Sequence, residues 1–116
     1  MYNIVMLNKL FGNETLPLIF LNLFHYDEVY CAMLEKNTGI GSRAILNQLN
    51  KMEESGILVS REVGRTRLYK FNLKSPYVKP IKTLIDVSYS NLSIKNKEKM
   101  FQERMRPRSK GKRVLK

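Results

Sequence analysis

The sequence predicts a mainly α-helical domain with a small β-hairpin. Three observations predict it. Apolar residues recur at helical spacing in five stretches of the first 92 residues. Glycines stand at 12, 39 and 56, where three of those stretches stop. Two strand-like runs face each other across Gly64. A chain of 116 residues with 43% apolar content fits one domain with a modest core.

The opening MYNIVMLNKLFG sets Ile4, Val5, Leu7, Leu10 and Phe11 at roughly helical spacing and stops at Gly12. Asn13 is placed to cap a second helix, whose first turn holds Glu14 and Pro17. Its apolar stripe is Leu16, Ile19, Phe20, Leu23 and Phe24. HYDE at 25–28 reads as a polar break. A short helix over about 30–37 follows, with Val29, Met33 and Leu34 as core contacts and Gly39 as its stop.

GSRAILNQLNKMEESG, residues 41–56, is the clearest helix, capped by Gly41 or Ser42. Ile45, Leu49 and Met52 share one side at 100° per residue. Arg43, Asn47 and Asn50 fall on the opposite side, bordered by Leu46 and Lys51. Strands over about 57–62 and 66–72 meet at Gly64. Ser75-Pro76 reads as an N-cap and a first helical position. The helix after it, to about residue 92, has Tyr77, Val78, Ile81, Leu84, Ile85 and Val87 as a broad apolar face.

The formal charge of +11 is unevenly placed. Residues 1–94 hold 11 Lys+Arg against 8 Asp+Glu, whereas residues 95–116 hold 10 against 2. The division expected is a domain over 1–94 and a basic tail over 95–116, with helix possible over 97–105 and no ordered structure over 106–116 without a partner. Such a tail points to a polyanionic partner. No secretory signal is visible, and the longest apolar run, LPLIFLNLF, is too short to span a bilayer. The tail also lacks the apolar face of an interfacial helix. The single Cys31 excludes an intramolecular disulfide and suits a reducing cytoplasm. With one Cys and one His25, no thiol or histidine pair starts a metal site, and no cofactor is expected. Nucleophile–base arrangements and phosphate-binding Gly-rich loops are missing as well, so an enzyme is the class least expected.

Helix, short helix, tight turn, helix, two-stranded ribbon, helix is the order that results. In that order, TGIGSRAILNQLNKMEESGILVS and GRTRLYKFN are the telling stretches, spanned by a similarity over about residues 10–90. The chain resembles the winged helix-turn-helix transcriptional regulators of the ArsR-like type and their archaeal relatives. Ile40 in the turn would plug the space between two nearly perpendicular helices. Where the family often has Ser or Thr, this chain has Gly41, a weaker cap that Ser42 is placed to replace. The cysteine pairs of metal-sensing members are missing, and the basic tail lies outside the family pattern.

The resemblance implies a cytoplasmic, sequence-specific double-stranded DNA-binding regulator. Its recognition helix, about 41–55, would lie in the major groove, and its wing, about 57–72, on backbone or minor groove. Arg43 has the fork for guanine, and Asn47 and Asn50 the amides for adenine. Ser42 and the first backbone N–H groups suit a phosphate, Lys51 a neighbouring phosphate, and Leu46 borders the same face. Arg65 and Arg67 would sit at the wing's tip, with Arg61 and Lys70 more peripheral. Tyr69 and Phe71 are expected to pack the wing rather than stack on bases, the Met residues to fill core, and Cys31 and His25 to be structural or incidental. The family's terminal helices, here about 2–11 and 76–92, imply a homodimer with a seam of Tyr77, Ile81, Leu84 and Ile85. The sequence names no small-molecule effector. The alternative is an RNA-binding or protein-docking winged-helix module whose tail supplies non-specific nucleic-acid affinity.

Overall fold

The computed structural model describes residues 4–102. Its elements are α1 (Val5–Phe11), α2 (Thr15–Tyr26), β1 (Glu28–Val29), α3 (Cys31–Thr38), α4 (Ser42–Glu54), β2 (Leu58–Val63), β3 (Thr66–Phe71), α5 (Val78–Ser90) and α6 (Ile94–Met100). The described chain is thus mainly helical with one small antiparallel sheet, in the order β1-β3-β2.

The centre of the fold is α2. Every residue from Thr15 to Leu23 is buried, and α1, α3, α4 and α5 all pack against it. Such all-round burial requires apolar side chains on every face of the helix, as LPLIFLNLF supplies. Asn13 performs the capping task foreseen for it, its Oδ1 accepting the Leu16 N–H at 2.8 Å. The turn between α3 and α4 depends on Gly39, whose φ of 74° is left-handed and open without strain only to glycine. Ile40 then packs partly buried against the core. On α4, Ile45 and Leu49 are wholly buried and Met52 partly so, as their spacing predicts.

The hairpin turns through Gly64 and Arg65, with positive φ at the glycine alone. Glycine at the first central position of a two-residue loop is the type II′ arrangement, which matches the twist of the flanking strands. Side chains then alternate across the sheet. Leu58, Tyr69 and Phe71 are buried, so the two aromatics pack the hairpin onto the helices and are withdrawn from any stacking role.

Five sequence expectations need correction. HYDE is not simply a break: Glu28 and Val29 pair with Lys70 and Tyr69 to make a third strand. Two residues are too few to show alternation, and their pairing is set by the exposed edge of β3. Ser75-Pro76 does not start α5, which begins at Val78; the Ser75 hydroxyl instead accepts the Tyr77 N–H in a preceding turn. Ser42 does not replace Gly41 as cap, since it is the first residue of α4 and no side chain bonds the helix start.

The 94/95 domain boundary falls inside packed structure. Ser93 caps α6 by accepting the Asn96 N–H at 3.1 Å, and Met100 is wholly buried. Leu92, Met100 and Phe101 give this segment the apolar anchors that the charge count concealed. The expected extension to residue 105 and the tail over 106–116 lie outside the described residues. Finally, Ile85 is 0% exposed and belongs to the core, so it is unavailable to a dimer seam; Tyr77 is exposed, while Ile81 and Leu84 are partly buried.

Candidate nucleic-acid interface

One side of α4 is left to solvent for two turns. Arg43, Asn47 and Asn50 are all exposed. They fall within an arc of roughly 60° and span roughly 10 Å along the axis. The burial of Ile45 and Leu49 forces this outcome, because it fixes the rotation of the helix against the core. Neither Arg43 nor Lys51 makes an ion pair among the described residues. Ser42 is exposed at the helix start, where the uncapped N–H groups give the end a partial positive charge. The acids of α4, Glu53 and Glu54, lie in its last turn, away from Arg43.

Strand alternation divides the cations of the hairpin between two faces. Arg65, Arg67 and Tyr69 border a groove of about 360 Å³ whose opposite wall is Tyr30 and Cys31 of the α3 end and Leu46 of α4. Leu46 is 39% exposed, an apolar residue held open at this junction. Arg61 faces the other way. With Lys70 and Leu68 it lies on the outer face, where its guanidinium reaches across β3 to Glu28 at 3.2 Å. Of the residues foreseen for binding, Arg61 is therefore the one not brought together with the others. Its charge is already answered by a carboxylate.

A relay that the sequence did not reveal ties the hairpin to α4. Ser60 donates to Glu53 Oε2 at 2.6 Å and accepts from Arg67 Nη1 at 2.9 Å. Arg67 also pairs with Glu62 at 3.2 Å. Serine suits the junction because one hydroxyl donates and accepts at once. Arg67 is thus partly committed to partners within the fold. Arg65, next to it at the turn, is exposed and makes no ion pair among the described residues. A period-two reading of 57–72 places Ser60, Arg67 and Tyr69 on one face, but only the fold brings Glu53 opposite them.

Cys31 is partly buried beside the groove. Burial pushes its thiol upward, and the neighbouring Glu35 carboxylate adds to the shift. Burial likewise raises Tyr69, which is a packing residue at the floor of the groove. The surface is thus one of fixed cations, two exposed amides and a shallow channel. No described helix is long and apolar enough to cross a membrane. Compared with protein-family models, curated proteins and solved structures, the chain finds no match.

Proposed function

We propose that this chain is a winged helix-turn-helix regulator of the ArsR-like kind that binds double-stranded DNA in a sequence-specific way. In this reading α3 and α4 are the helix-turn-helix, and the β2–β3 hairpin is the wing. The observation that carries it is the exposed row Arg43, Asn47 and Asn50 on a helix whose rotation is fixed by its core side, flanked across a groove by Arg65 and Arg67. A helix of 13 residues presenting arginine and asparagine fits a major groove, where their side chains discriminate guanine and adenine by paired hydrogen bonds. Ser42 and Lys51 then contact phosphates, and the groove beside Leu46 takes the sugar–phosphate strand. Arg61 takes no part beyond its general charge.

The regulator acts as a cytoplasmic homodimer. Val5, Met6 and Leu10 on α1, Val87 on α5 and Tyr77 just before it are exposed apolar residues, and they support pairing through α1 and α5. A two-fold dimer favours a pseudo-palindromic site with half-sites about one turn apart. The test is fluorescence anisotropy of the full chain with a duplex selected from a random pool and with its shuffled counterpart, over a salt series. Preference for the selected duplex that persists as salt rises supports the proposal. Equal binding to both, lost together with salt, refutes sequence-specific recognition and leaves only the counterion-release attraction of a basic chain.

A further inference from the structure

Two cavities beside α5 share Leu73 and Lys82 in their walls. The larger, about 410 Å³, runs along α5. Its lining is apolar at Phe24, Leu73 and Val78 and charged at Lys79, Lys82 and Asp86. The smaller, about 280 Å³, continues toward the sheet, where Lys70, Lys74 and Asp27 line it. Four lysines and two aspartates thus surround the pair. None of these lysines makes an ion pair among the described residues. Lys82 is the central one. It is partly buried, and its Nζ stands 5.9 Å from the centre of the Phe71 ring, answered by an aromatic face and by no carboxylate.

The apolar wall is braced from behind. Phe24 packs on Tyr89 with ring centroids 4.9 Å apart, and the Tyr89 hydroxyl shares a 2.8 Å hydrogen bond with His25 Nδ1. Phe101 stacks on His25 at 4.1 Å. The next residue, Gln102, donates its backbone N–H to Asn37 Oδ1 at 3.0 Å, and Asn37 donates to Asn22 Oδ1 at 2.7 Å. This C-terminal clasp holds Phe24 in place, so a ligand need not order that wall as it binds. At the mouth Leu73 is 79% exposed, an apolar side chain available to cover a body lying on Phe24 and Val78. Small-molecule sites combine such apolar walls with a few charged groups, in volumes of roughly 300–1,000 Å³. A partly buried ammonium lacking a carboxylate is a group that a bound anion would satisfy.

We propose that the larger cavity binds a small aromatic carboxylate, its anionic group on Lys82 and its ring on Phe24, Val78 and Leu73. Lys79, exposed at the same wall, adds attraction for the anion. Asp86, whose Oδ1 accepts the Ser90 hydroxyl at 2.8 Å, is a like charge that disfavours a second anionic group on the ligand. No residue of α4 lines either cavity, nor does Val5, Met6, Leu10, Tyr77 or Val87. The site is therefore separate from the duplex-binding and pairing surfaces, and it stands whether or not the chain binds DNA.

The test is an amide NMR titration of the full chain with cinnamate and with its neutral isostere, cinnamamide. The expected result is saturable binding of cinnamate, with shift changes centred on Leu73, Val78 and Lys82. Cinnamamide should bind about fivefold more weakly or worse. Lys82→Met keeps the apolar stem and removes the charge, and should bring cinnamate down to the affinity of the amide. Lys82→Arg keeps the charge and should retain most of the parent affinity. Equal affinity of the parent protein for acid and amide overturns the proposal, and that comparison holds even where a variant fails to fold. Shift changes that do not saturate, or that centre on the groove beside Leu46, overturn the site. Unchanged cinnamate affinity in Lys82→Met overturns the role of its ammonium.

Discussion

Two regions of this molecule use the same residue types to opposite ends. Around the C-terminal clasp, Asn22, Asn37, His25 and Tyr89 all have partners inside the fold. Along α4, Asn47, Asn50 and Arg43 are exposed, and their side chains make no hydrogen bond or ion pair with the described residues. The arginines of the hairpin repeat the contrast on a smaller scale: Arg61 answers Glu28, whereas Arg65 answers nothing among the described residues. The lesson is that a polar side chain's identity does not set its task. Its partners do, and the groups left without partners mark the surface available to another molecule.

The largest effect expected is on stability, from the clasp. Asn37→Ala leaves the buried Asn22 Oδ1 without the Asn37 donor, an orphan that costs about 1–3 kcal/mol, and also removes the acceptor of the Gln102 N–H, which lies at an exposed residue. The matching change Asn47→Ala, at an exposed position, should stay within about 0.5 kcal/mol. Urea unfolding of both variants measures the difference. Equal destabilisation would break the comparison between the two regions.

Next in size is the binding contrast. Arg43→Ala should weaken binding to the selected duplex by about 1–3 kcal/mol, with a much smaller loss on the shuffled duplex. Arg61→Ala should weaken both slightly and alike, because its guanidinium is already paired with Glu28. Competition binding at one salt concentration separates these outcomes. A loss of discrimination on Arg61→Ala equal to that on Arg43→Ala would show that the two faces of the hairpin had been assigned wrongly.

The smallest effect is on pH dependence. Burial lowers the pKa of His25, and the nearby Lys97 charge lowers it further. The unfolded chain therefore takes up this proton at a higher pH than the folded one. Above about pH 6.5 the ring is neutral in both states and the clasp keeps its full stability. As the pH falls from there through the lowered folded value, that stability is progressively lost. An NMR titration of the His25 ring should report a value below the ordinary one, and Phe101→Ala should raise it. An unchanged titration in Phe101→Ala would mean that the stacking ring is not what shields His25 from water.

The same contrast explains what the sequence made legible. The rotation of α4 was readable from Ile45, Leu49 and Met52, because periodicity records which side meets a core. The burial of Tyr69 and Phe71 was readable for the corresponding reason in a strand. What escaped was long-range and polar. Glu53, Ser60 and Arg67 are brought together by the hairpin's angle, and Gln102 meets Asn37 across 65 positions. No local pattern encodes such meetings. Helix was expected as possible over 97–105, but basic charge hid its start at Ile94 and its packing, since Lys95, Lys97 and Lys99 dominate a segment fixed by Leu92, Met100 and Phe101. Likewise, the apolar stripe of α5 did not distinguish Ile85, which is wholly buried in the core, from Tyr77 and Val87, which remain in solvent.

The most direct test of the central claim is an amide NMR titration of the full chain with the selected duplex. Shift changes should concentrate at Ser42–Lys51 and Gly64–Arg67, with Glu28 and Arg61 on the outer sheet face little affected. Changes centred instead on that outer face, or on α1 and α5, would contradict it.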